Sequence, residues 1–533
     1  MQRARGLLNL FLIYGLIVLL NGDLGVHCTL KDLQGSWTFT FYQYKSGSPN
    51  NCGYSSPNSN RQNVAISKAL QKDRVSGGFP TVERLLNLSL SNPTVSSQSF
   101  VLASSLDGKQ GYEILSSGSR AGHWSPLFDQ GLILKGLTVN GRVYDRLLSY
   151  SLFDCLDEKA CSQIDPVVKE DGSTPAGYQS MCDGTLVGWA MHGQGLFDCF
   201  IGTKSSAETS SQLNNGGPFV ASSDEGLKEW EDHLKECRLN SESDAAGLSI
   251  PASWPPTLSP VEVKDPPREQ GTCGSCYAIA TAFAIESSST NFQVIPTDPL
   301  VKDSFTNQGC QGGHPLMLGF SLSSGRKPLA SSSFEFLGGR YGYCSEAAIQ
   351  RHLIEKGPVV VGMHIPVGLA LRGRDVGTQK FEDSLFAEID IPGVDGSQQI
   401  LVSVPDHHFT RADPWQYSNH AMVVVGWGEG ISRFSGKSVK FWILRNSWGV
   451  RWGLNGHLLV ERGIDLGGVE SHAMSVLSAS AVPLNISAYI APSRIWIYSA
   501  LCLTAFIVAV GLVTVGLNYK ALLGKFSNPR MLE

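Results

Sequence analysis

The sequence predicts an α+β protein: an all-β front domain, a second globular unit that combines helices with strands, and a C-terminal transmembrane helix. The stretch 23–203 mixes aromatic and β-branched residues with turn-forming clusters of Gly, Ser and Asn, which is typical of strands. The stretch 250–483 contains one helix-like segment that is apolar on nearly every face and two apolar, strand-like segments. Residues 495–517 carry no charge, and 23 residues at about 1.5 Å per residue form a helix long enough to cross a bilayer.

The composition is that of an ordinary globular protein. Of the 533 residues, 42% are hydrophobic and 17% are charged, so the chain can bury sizeable cores. The formal net charge is only −5 and there is no polybasic run. We therefore expect no nucleic-acid partner and no electrostatic binding to lipid headgroups.

The N-terminus has the order of a secretory signal, because Arg3 and Arg5 precede an apolar run from Leu7 to Leu20. We predict that residues 1–22 are removed and that Asp23 becomes the first residue. The alternative is an uncleaved anchor, for which this apolar run is short.

The basic residues after the apolar C-terminal segment predict the orientation in the membrane. Three of them lie in the tail 518–533, directly after Ile495–Leu517, so the tail is predicted to be cytosolic. The chain is then a single-pass type I protein of the secretory or endolysosomal pathway with a lumenal or extracellular body. The sequons at Asn87 and Asn485 are predicted glycosylation sites on that same side.

The body divides at a change in composition. The front stretch 23–203 holds an even number of cysteines, which predicts disulfides in an exported β domain: Cys28, Cys52, Cys155, Cys161, Cys182 and Cys199. The stretch 204–249 is rich in Ser, Ala, Asn, Glu and Lys and contains one helix-like piece, so we interpret it as a linker or a removable propeptide. Apolar density returns from Ile250 onward.

The stretch EQGTCGSCYA, Glu269–Ala278, holds a Cys-x-x-Cys pair directly before the apolar helix-like segment. Cys276 begins that helix, where the helix dipole and unpaired backbone N–H groups favour a thiolate, whereas Cys273 lies in the preceding loop. A zinc site would need a second cysteine pair or closely spaced histidines, and a thioredoxin-like site would need a preceding parallel strand. The sequence shows neither pattern, so we expect no metal and interpret Cys276 as a nucleophile.

A cysteine nucleophile needs a base and a residue that orients the base. The apolar segments SNHAMVVVGWG and KFWILRNSWG flank the polar stretch EGISRFSGK, which predicts an antiparallel hairpin. Eight residues lead from His420 to Gly428. Eight also lead from Ser438 to Asn446, so the first residue of one strand should face the last residue of the other. Asn446 can then hold one ring nitrogen of His420 and leave the other for Cys276.

Further side chains complete the predicted site. Gln270, six residues before Cys276, offers a side-chain N–H that can stabilise an oxyanion together with the backbone N–H of Cys276. Trp448 and Trp452 can shield the histidine–asparagine hydrogen bond from water.

The motifs QGTCGSCY, CQGGHP, NHAMVVVGWG and NSWGVRWGLNGH closely resemble those of the papain-like cysteine peptidases, family C1. The resemblance covers about 250–477 and implies the papain fold, a helical lobe that faces a β-barrel lobe. It implies these roles: nucleophile Cys276, acid/base His420, orienting residue Asn446 and oxyanion-hole donor Gln270. It also implies a Cys273–Cys310 disulfide and a peptide-binding cleft lined by Gly312, Gly313, Asn419 and Trp448.

The front domain resembles the exclusion domain of the cathepsin C (dipeptidyl peptidase I) group within that family, through DLGVHCTLKDLQGSWTF and MCDGTLVGWAMHGQGLFDCF. This likeness implies three disulfides: Cys28–Cys182, Cys52–Cys199 and, as an extra local bridge, Cys155–Cys161. In that group the exclusion domain blocks the cleft beyond two residues, and its N-terminal aspartate holds the free amine of the substrate. Asp23 lies five residues before Cys28, as that aspartate does before its cysteine.

The chain departs from the pattern of that group at several positions. Leu316 and Phe336 stand where tyrosines are expected, so two hydroxyls of the group's chloride site are missing, and we expect no required cofactor. Cys237 and Cys344 have no obvious partners. The group forms homo-oligomers, which makes a second copy of this chain an expected partner beside peptide substrates.

The residues favour a cysteine-type dipeptidyl aminopeptidase that removes dipeptides from free N-termini and is tethered to a membrane. The first alternative is a papain-like endopeptidase whose front domain is removed on maturation. The second is a non-catalytic receptor with a peptidase fold. The presence of all four catalytic residue types argues against the receptor.

Overall fold

The computed structural model describes residues 28–44, 52, 65–72, 93–104, 112–127, 130–155, 178–193, 196–205, 224–253, 261–262, 266–288, 294–323, 333–365, 386–402, 418–477 and 491–492. Several predicted features lie outside these residues: the signal segment, Asp23, Asn87, Asn485, the Cys155–Cys161 bridge, the segment Ile495–Leu517 and the tail. Within the described ranges, no helix is both long enough and apolar enough for a membrane span. The predicted span therefore stays a prediction.

The front domain is built from nine antiparallel strands. They are β1 Gly35–Gln43, β2 Thr94–Ser104, β3 Tyr112–Ser116, β4 Ser119–Pro126, β5 Gly131–Val139, β6 Arg142–Cys155, β7 Tyr178–Thr185, β8 Gly188–His192 and β9 Leu196–Lys204. Strand β1 pairs with both β2 and β9, and β6 pairs with β8, so eight strands close into a barrel and β7 extends it beside β6. Closure leaves no open edge among the eight strands.

Alternating aromatic residues on β1 fill the barrel. Trp37, Phe39 and Phe41 recur at the two-residue period of a strand and are fully buried. Phe39 stacks on Trp37 at 5.7 Å between ring centroids and meets Phe200 edge-on at 6.0 Å. A Cβ at Gly202 would lie 2.6 Å from the Phe39 ring, so only glycine fits beside it. This close packing ties β9 to the centre of the barrel.

The second unit contains most of the helices. The described helices of the whole chain are α1 Leu30–Leu33, α2 Asp224–Ala245, α3 Cys276–Ser288, α4 Thr297–Asp303, α5 Pro315–Ser323 and α6 Glu346–Glu355, with a further helical stretch at 65–72. Short 3-10 turns occur at Gly309–Gln311, Leu337–Gly339 and Leu466–Gly468. Every residue of α3 is buried, since it packs against α4, α5 and strands of the sheet.

The strands of the second unit form one eight-stranded sheet and one short pair. They are β10 Val261–Glu262, β11 Ser333–Phe336, β12 Val359–Met363, β13 Phe386–Asp390, β14 Ser397–Leu401, β15 His420–Ser432, β16 Ser438–Arg445, β17 His457–Glu461, β18 Ala473–Leu477 and β19 Ala491–Pro492. The sheet order is β11-β18-β12-β15-β13-β14-β17-β16, and β15 also pairs with β16. The last five strands therefore close a small barrel, while β10 pairs with β19.

The β15–β16 hairpin differs from the predicted register. Strand β15 continues to Ser432, so the first four residues of the stretch predicted as a loop are strand, and Ile431 pairs with Ser438. A bulge at Val425 shifts the pairing, and the register places Asn446 two residues away from the position opposite His420. The predicted direct pairing was wrong because the turn is shorter than the predicted loop and off-centre, so Gly428 faces Phe441 rather than Ser438. The bulge then reduces the offset from three residues to two. Diagonal neighbours two residues apart still share a face, so the two side chains meet.

The barrel packs directly on the helical side of the second unit. Phe197 of β9 stacks on Phe305 at 5.5 Å, and Trp189 of β8 meets the same ring edge-on at 6.1 Å. The Tyr150 hydroxyl donates to the carbonyl of Thr306 at 3.3 Å. These aromatic contacts join the two cores into one cluster.

The structure contains the disulfides Cys28–Cys182, Cys52–Cys199, Cys237–Cys344 and Cys273–Cys310. Three of these are the pairs that the family resemblance implies. The other joins the two cysteines that the sequence left without partners, because a bond between residues 107 positions apart becomes visible only once the chain is folded. It attaches α2 to the loop before α6.

The Cys28–Cys182 bridge should hold the barrel together. We expect the double variant Cys28→Ser/Cys182→Ser to lower the free energy of unfolding by about 2–5 kcal/mol, since a crosslink over 154 residues restricts the unfolded chain. Urea unfolding monitored by tryptophan fluorescence checks this. The variant Ser36→Ala in β1 is the control, and an unchanged midpoint in the double variant would contradict the prediction.

His352 of α6 should make stability depend on pH. Its ring bonds the Gly357 carbonyl at 3.0 Å and the Ser475 hydroxyl at 2.8 Å, and burial lowers its pKa to about 4. In the unfolded chain the pKa of this histidine is about 6.5. Its contribution to the free energy of unfolding is therefore complete above that pH and is lost as the pH falls toward 4. When the pH falls from 7 to 5, we expect the free energy of unfolding of His352→Gln to decrease by about 2 kcal/mol less than that of the wild type, as measured by urea unfolding. Ser475→Ala, which keeps the imidazole, should retain the wild-type pH difference; equal differences in all three proteins would refute the role of His352.

Candidate active site

The first turn of α3 and the loop before it form a rigid unit. Cys276 is the first residue of α3 and is 9% exposed. The Cys273–Cys310 disulfide holds the preceding loop, and the Gly274 N–H donates to the Cys310 carbonyl at 2.7 Å. Gly271 has φ +63°, a conformation that glycine adopts without strain. The loop therefore fixes the position at which the thiol meets the cleft.

His420 begins β15 and is held by Asn446. Its Nε2–H donates to Oδ1 of Asn446 at 2.7 Å. The same oxygen accepts the backbone N–H of Ser447 at 2.7 Å, which fixes the orientation of the amide. The hydrogen bond leaves Nδ1 as the free ring nitrogen.

Tryptophans cover this hydrogen bond. The Trp448 ring lies 4.7 Å from the imidazole of His420 between centroids, and Trp452 meets Trp448 edge-on at 4.9 Å. His420 is 5% exposed and Asn446 is 2% exposed. The predicted shield of tryptophans is thus present around the pair.

Cys276 lies at the start of β15. The backbone N–H of Ala421, the residue after His420, is close enough to the Cys276 sulfur to lower the pKa of the thiol, as are the N–H groups of Tyr277 and of Cys276 itself. Helix α3 packs along β15. The nucleophile and base predicted from distant parts of the sequence are therefore brought to one place.

Burial opposes an isolated charge on either partner. It raises the pKa of the Cys276 thiol, although the three backbone N–H groups act in the other direction. Burial also lowers the pKa of His420 to about 4, and the hydrogen bond with Asn446 opposes this. A proton that moves from sulfur to imidazole creates both charges together. Opposite charges attract strongly where water is excluded, so the site favours a thiolate–imidazolium pair over either ion alone.

Gln270 is oriented by a residue that the sequence analysis missed. Ser447 donates its hydroxyl to Oε1 of Gln270, and its carbonyl accepts the Gln270 backbone N–H at 2.8 Å. The side-chain nitrogen of Gln270 is thereby directed the other way, where it donates to the Cys273 carbonyl at 3.0 Å. The position of Ser447 directly after Asn446 is the one signal in the sequence that could have identified it.

Asn419 connects the base to the neighbouring strand. Its side-chain amide pairs with both backbone groups of Ile365: Oδ1 accepts the N–H at 2.8 Å and Nδ2 donates to the carbonyl at 2.9 Å. Its own N–H donates to the Met363 carbonyl at 3.2 Å. Asn419 therefore anchors the residue before His420, a structural contact in addition to its predicted place in the substrate cleft.

Backbone conformation and close packing explain why glycine stands at two positions of the predicted cleft. Gly312 has φ +103°, and a Cβ at Gly313 would lie 2.3 Å from Oδ1 of Asn307. Leu316 and Phe336, at the expected tyrosine positions, are buried apolar side chains and bring no hydroxyl. That no chloride ion or other cofactor is required stays a prediction.

Comparisons with known proteins agree with this geometry. The model of the papain family cysteine proteases matches residues 260–325 and 403–477. The chain is 24% identical to cathepsin C of Schistosoma mansoni over 514 residues, which cover 84% of this chain and 94% of that protein. It is 27% identical to pro-cathepsin H of Mus musculus over 228 residues, 40% of this chain and 60% of that protein. It is 28% identical to vignain of Ricinus communis over 236 residues, 40% of this chain and 56% of that protein. The second unit therefore matches the papain family of cysteine peptidases, and the chain is similar to cathepsin C over most of its length.

Proposed function

We propose that this cysteine peptidase is a dipeptidyl aminopeptidase that removes dipeptides from free N-termini of peptides and proteins. One observation carries the proposal: a complete β-barrel domain precedes the peptidase unit and is packed against it through Phe197 and Trp189. The similarity to cathepsin C spans this barrel as well as the peptidase unit. An endopeptidase would have no need to retain such a domain against its peptidase unit.

The side chains support the following steps. The Cys276 thiolate attacks the carbonyl of the second substrate residue, and the oxyanion accepts hydrogen bonds from the Gln270 side chain and the Cys276 backbone N–H. The protonated His420 gives its proton to the leaving amine, which departs and leaves a thioester. His420 then takes a proton from water, the hydroxide attacks the thioester, and the dipeptide leaves as the thiol forms again. Asn446 holds the imidazole throughout.

Asp23 is proposed to bind the amine of the substrate. It lies five residues before Cys28, which the bond to Cys182 anchors at β7. Five extended residues reach at most about 17 Å, so Asp23 must stay within that distance of the barrel. A carboxylate and an α-amino group are both charged at mildly acidic pH. Two extended substrate residues span about 7 Å, so the distance from the bound amine to the scissile carbonyl selects the bond after the second residue.

We further propose that the enzyme works in the secretory or endolysosomal pathway, tethered through Ile495–Leu517 and assembled as a homo-oligomer. The uncharged segment and the basic tail that follows it support the tether. Disulfides in both units agree with an oxidising compartment.

Reporter peptides test the exopeptidase proposal. We expect efficient cleavage of a dipeptidyl reporter with a free N-terminus and very slow cleavage of its N-acetylated form. We expect Asp23→Asn to raise KM for the free reporter and to reduce kcat/KM by about 10–100-fold, the range of a hydrogen bond to a charged group. Asp145→Asn, on the exposed face of β6, removes the same charge and should leave kcat/KM unchanged.

Other results would favour the rival functions. Equal rates on the free and acetylated reporters would establish an endopeptidase instead. Failure of a thiol-reactive epoxide to label Cys276 would favour a non-catalytic receptor. N-terminal sequencing of the mature protein provides an independent check, since Asp23 can bind the amine in this way only as the first residue.

Ser447 should act on the rate through Gln270. We expect Gln270→Ala to reduce kcat by about 10²–10³-fold, as loss of an oxyanion donor does. Ser447→Ala leaves the amide in place but unoriented, so we expect a smaller loss of kcat, about tenfold, with KM nearly unchanged. Ser435→Ala in the β15–β16 turn is the control. A Ser447→Ala enzyme with wild-type kcat and an unchanged Tm would show that the hydroxyl does not position Gln270.

A further inference from the structure

Helix α2, Asp224–Ala245, lies in the stretch 204–249, whose composition indicates a linker or a removable propeptide. The helix is 22 residues long and packs along α6 of the peptidase unit. If the chain is cut on both sides of α2, the helix has no peptide bond to either unit. Whether it then leaves depends on its other contacts.

One contact is covalent. Cys237 in the middle of α2 is bonded to Cys344, which lies just before α6. The two residues are 6% and 2% exposed, respectively, so the bond is shielded from solvent. Hydrolysis of peptide bonds does not affect a disulfide. The bond alone therefore keeps α2 attached after proteolysis.

A buried polar contact lies next to the disulfide. His233 lies one helical turn before Cys237, and its Nε2 forms a hydrogen bond with the Asp465 carboxylate at 2.8 Å. The Ser471 hydroxyl lies 3.1 Å from the same nitrogen. Asp465 is fully buried and also accepts the backbone N–H groups of Glu470 and Ser471, each at 2.9 Å. Loss of α2 would leave this buried carboxylate without its imidazole partner, which is costly.

The same face of α2 carries a continuous row of contacts. Arg340 is paired with Glu236, and Asn240 donates to the carbonyl of Tyr343. Further along, the Ser345 hydroxyl donates to Asp244 at 2.7 Å, and the Ala347 N–H donates to Ser241 at 3.1 Å. The contacting residues of α2 follow the spacing of one helical face: 233, 236, 237, 240, 241 and 244.

The turn that α2 contacts leads toward the active site. The carbonyl of Gly467, within the Asp465–Ser471 turn, accepts the N–H of His364 at 2.9 Å. The next residue, Ile365, is paired with the side-chain amide of Asn419 beside the base. Helix α2 therefore supports the segment from which His420 projects.

We propose that α2 is a permanent part of the mature peptidase: cleavage on either side converts it into a separate short chain that stays bound through Cys237–Cys344 and its polar face. This rests on the predicted cleavage within 204–249 but is independent of whether the enzyme is an exopeptidase. Only peptide bonds are hydrolysed, and no redox step takes place.

Peptide mapping tests the bond itself. A tryptic digest of the purified full chain, alkylated without reduction, should contain the peptide Glu236–Arg238 linked to Tyr341–Arg351. The cluster His233, Cys237, Cys344 and Asp465 has ligand atoms within 4.8 Å of one another, the donor types that bind zinc when thiols are reduced. Detection of Cys237 and Cys344 as two alkylated thiols would overturn the proposal, whether or not elemental analysis finds one equivalent of zinc.

A second experiment tests retention. The mature protein, or the full chain cut by an added endopeptidase if no cut occurs in the cell, is denatured and separated by size with and without reductant. We expect the fragment that contains 224–245 to separate only with reductant. The double variant Cys237→Ser/Cys344→Ser should release it in denaturant alone, whereas Leu239→Ser, an exposed position of α2, should behave like the wild type.

A mature wild-type protein that lacks 224–245 before reduction would refute retention. The readout is mass, so it is separate from any failure of the dipeptidyl reporter assay.

Discussion

The structure depends on the enclosure of α3. All thirteen residues of this helix are buried, and its sequence has no polar stripe until the serines at its end. Such a helix is stable in water only if other elements cover every face. Helices α4 and α5 cover one side, and β12, β15 and β18 cover others. Because the cover includes the strand that begins at His420, burial of one helix is also what brings the thiol and the imidazole together.

Enclosure has an electrostatic cost that the site offsets locally. A buried thiolate or a buried imidazolium is unfavourable by itself, yet each stabilises the other at short range. Backbone N–H groups at the start of α3 and the amide of Asn446 add fixed dipoles that need no rearrangement during the reaction. The tryptophans beside His420 keep water away from this arrangement.

The residues of the candidate site could be predicted from the sequence because each is adjacent to a strong local signal. Cys276 precedes an apolar helix, and His420 and Asn446 mark the ends of apolar strands. The β-rich character of the front domain was also readable, although closure of its barrel depends on pairing between β1 and β9, which are far apart in the chain.

What the sequence could not predict depends on three-dimensional contact. The bulge at Val425 arises from the pairing of whole strands, and the Cys237–Cys344 bond joins segments with no common motif. The role of Ser447 depends on a hydrogen bond to a loop 177 residues earlier. In each case the residue type is ordinary, and only its neighbours in space give it a role.

The closure of the front barrel also has a consequence for synthesis of the protein. Strand β1 pairs with β9, and both barrel disulfides join residues about 150 positions apart. At about 5–20 residues per second, β1 leaves the ribosome roughly 8–30 s before β9 exists. During that interval Trp37, Phe39 and Phe41 have no barrel to enter. The nascent chain therefore presents an aggregation-prone strand that needs a chaperone, and Cys28 and Cys52 must avoid incorrect partners until residues 182 and 199 have been made.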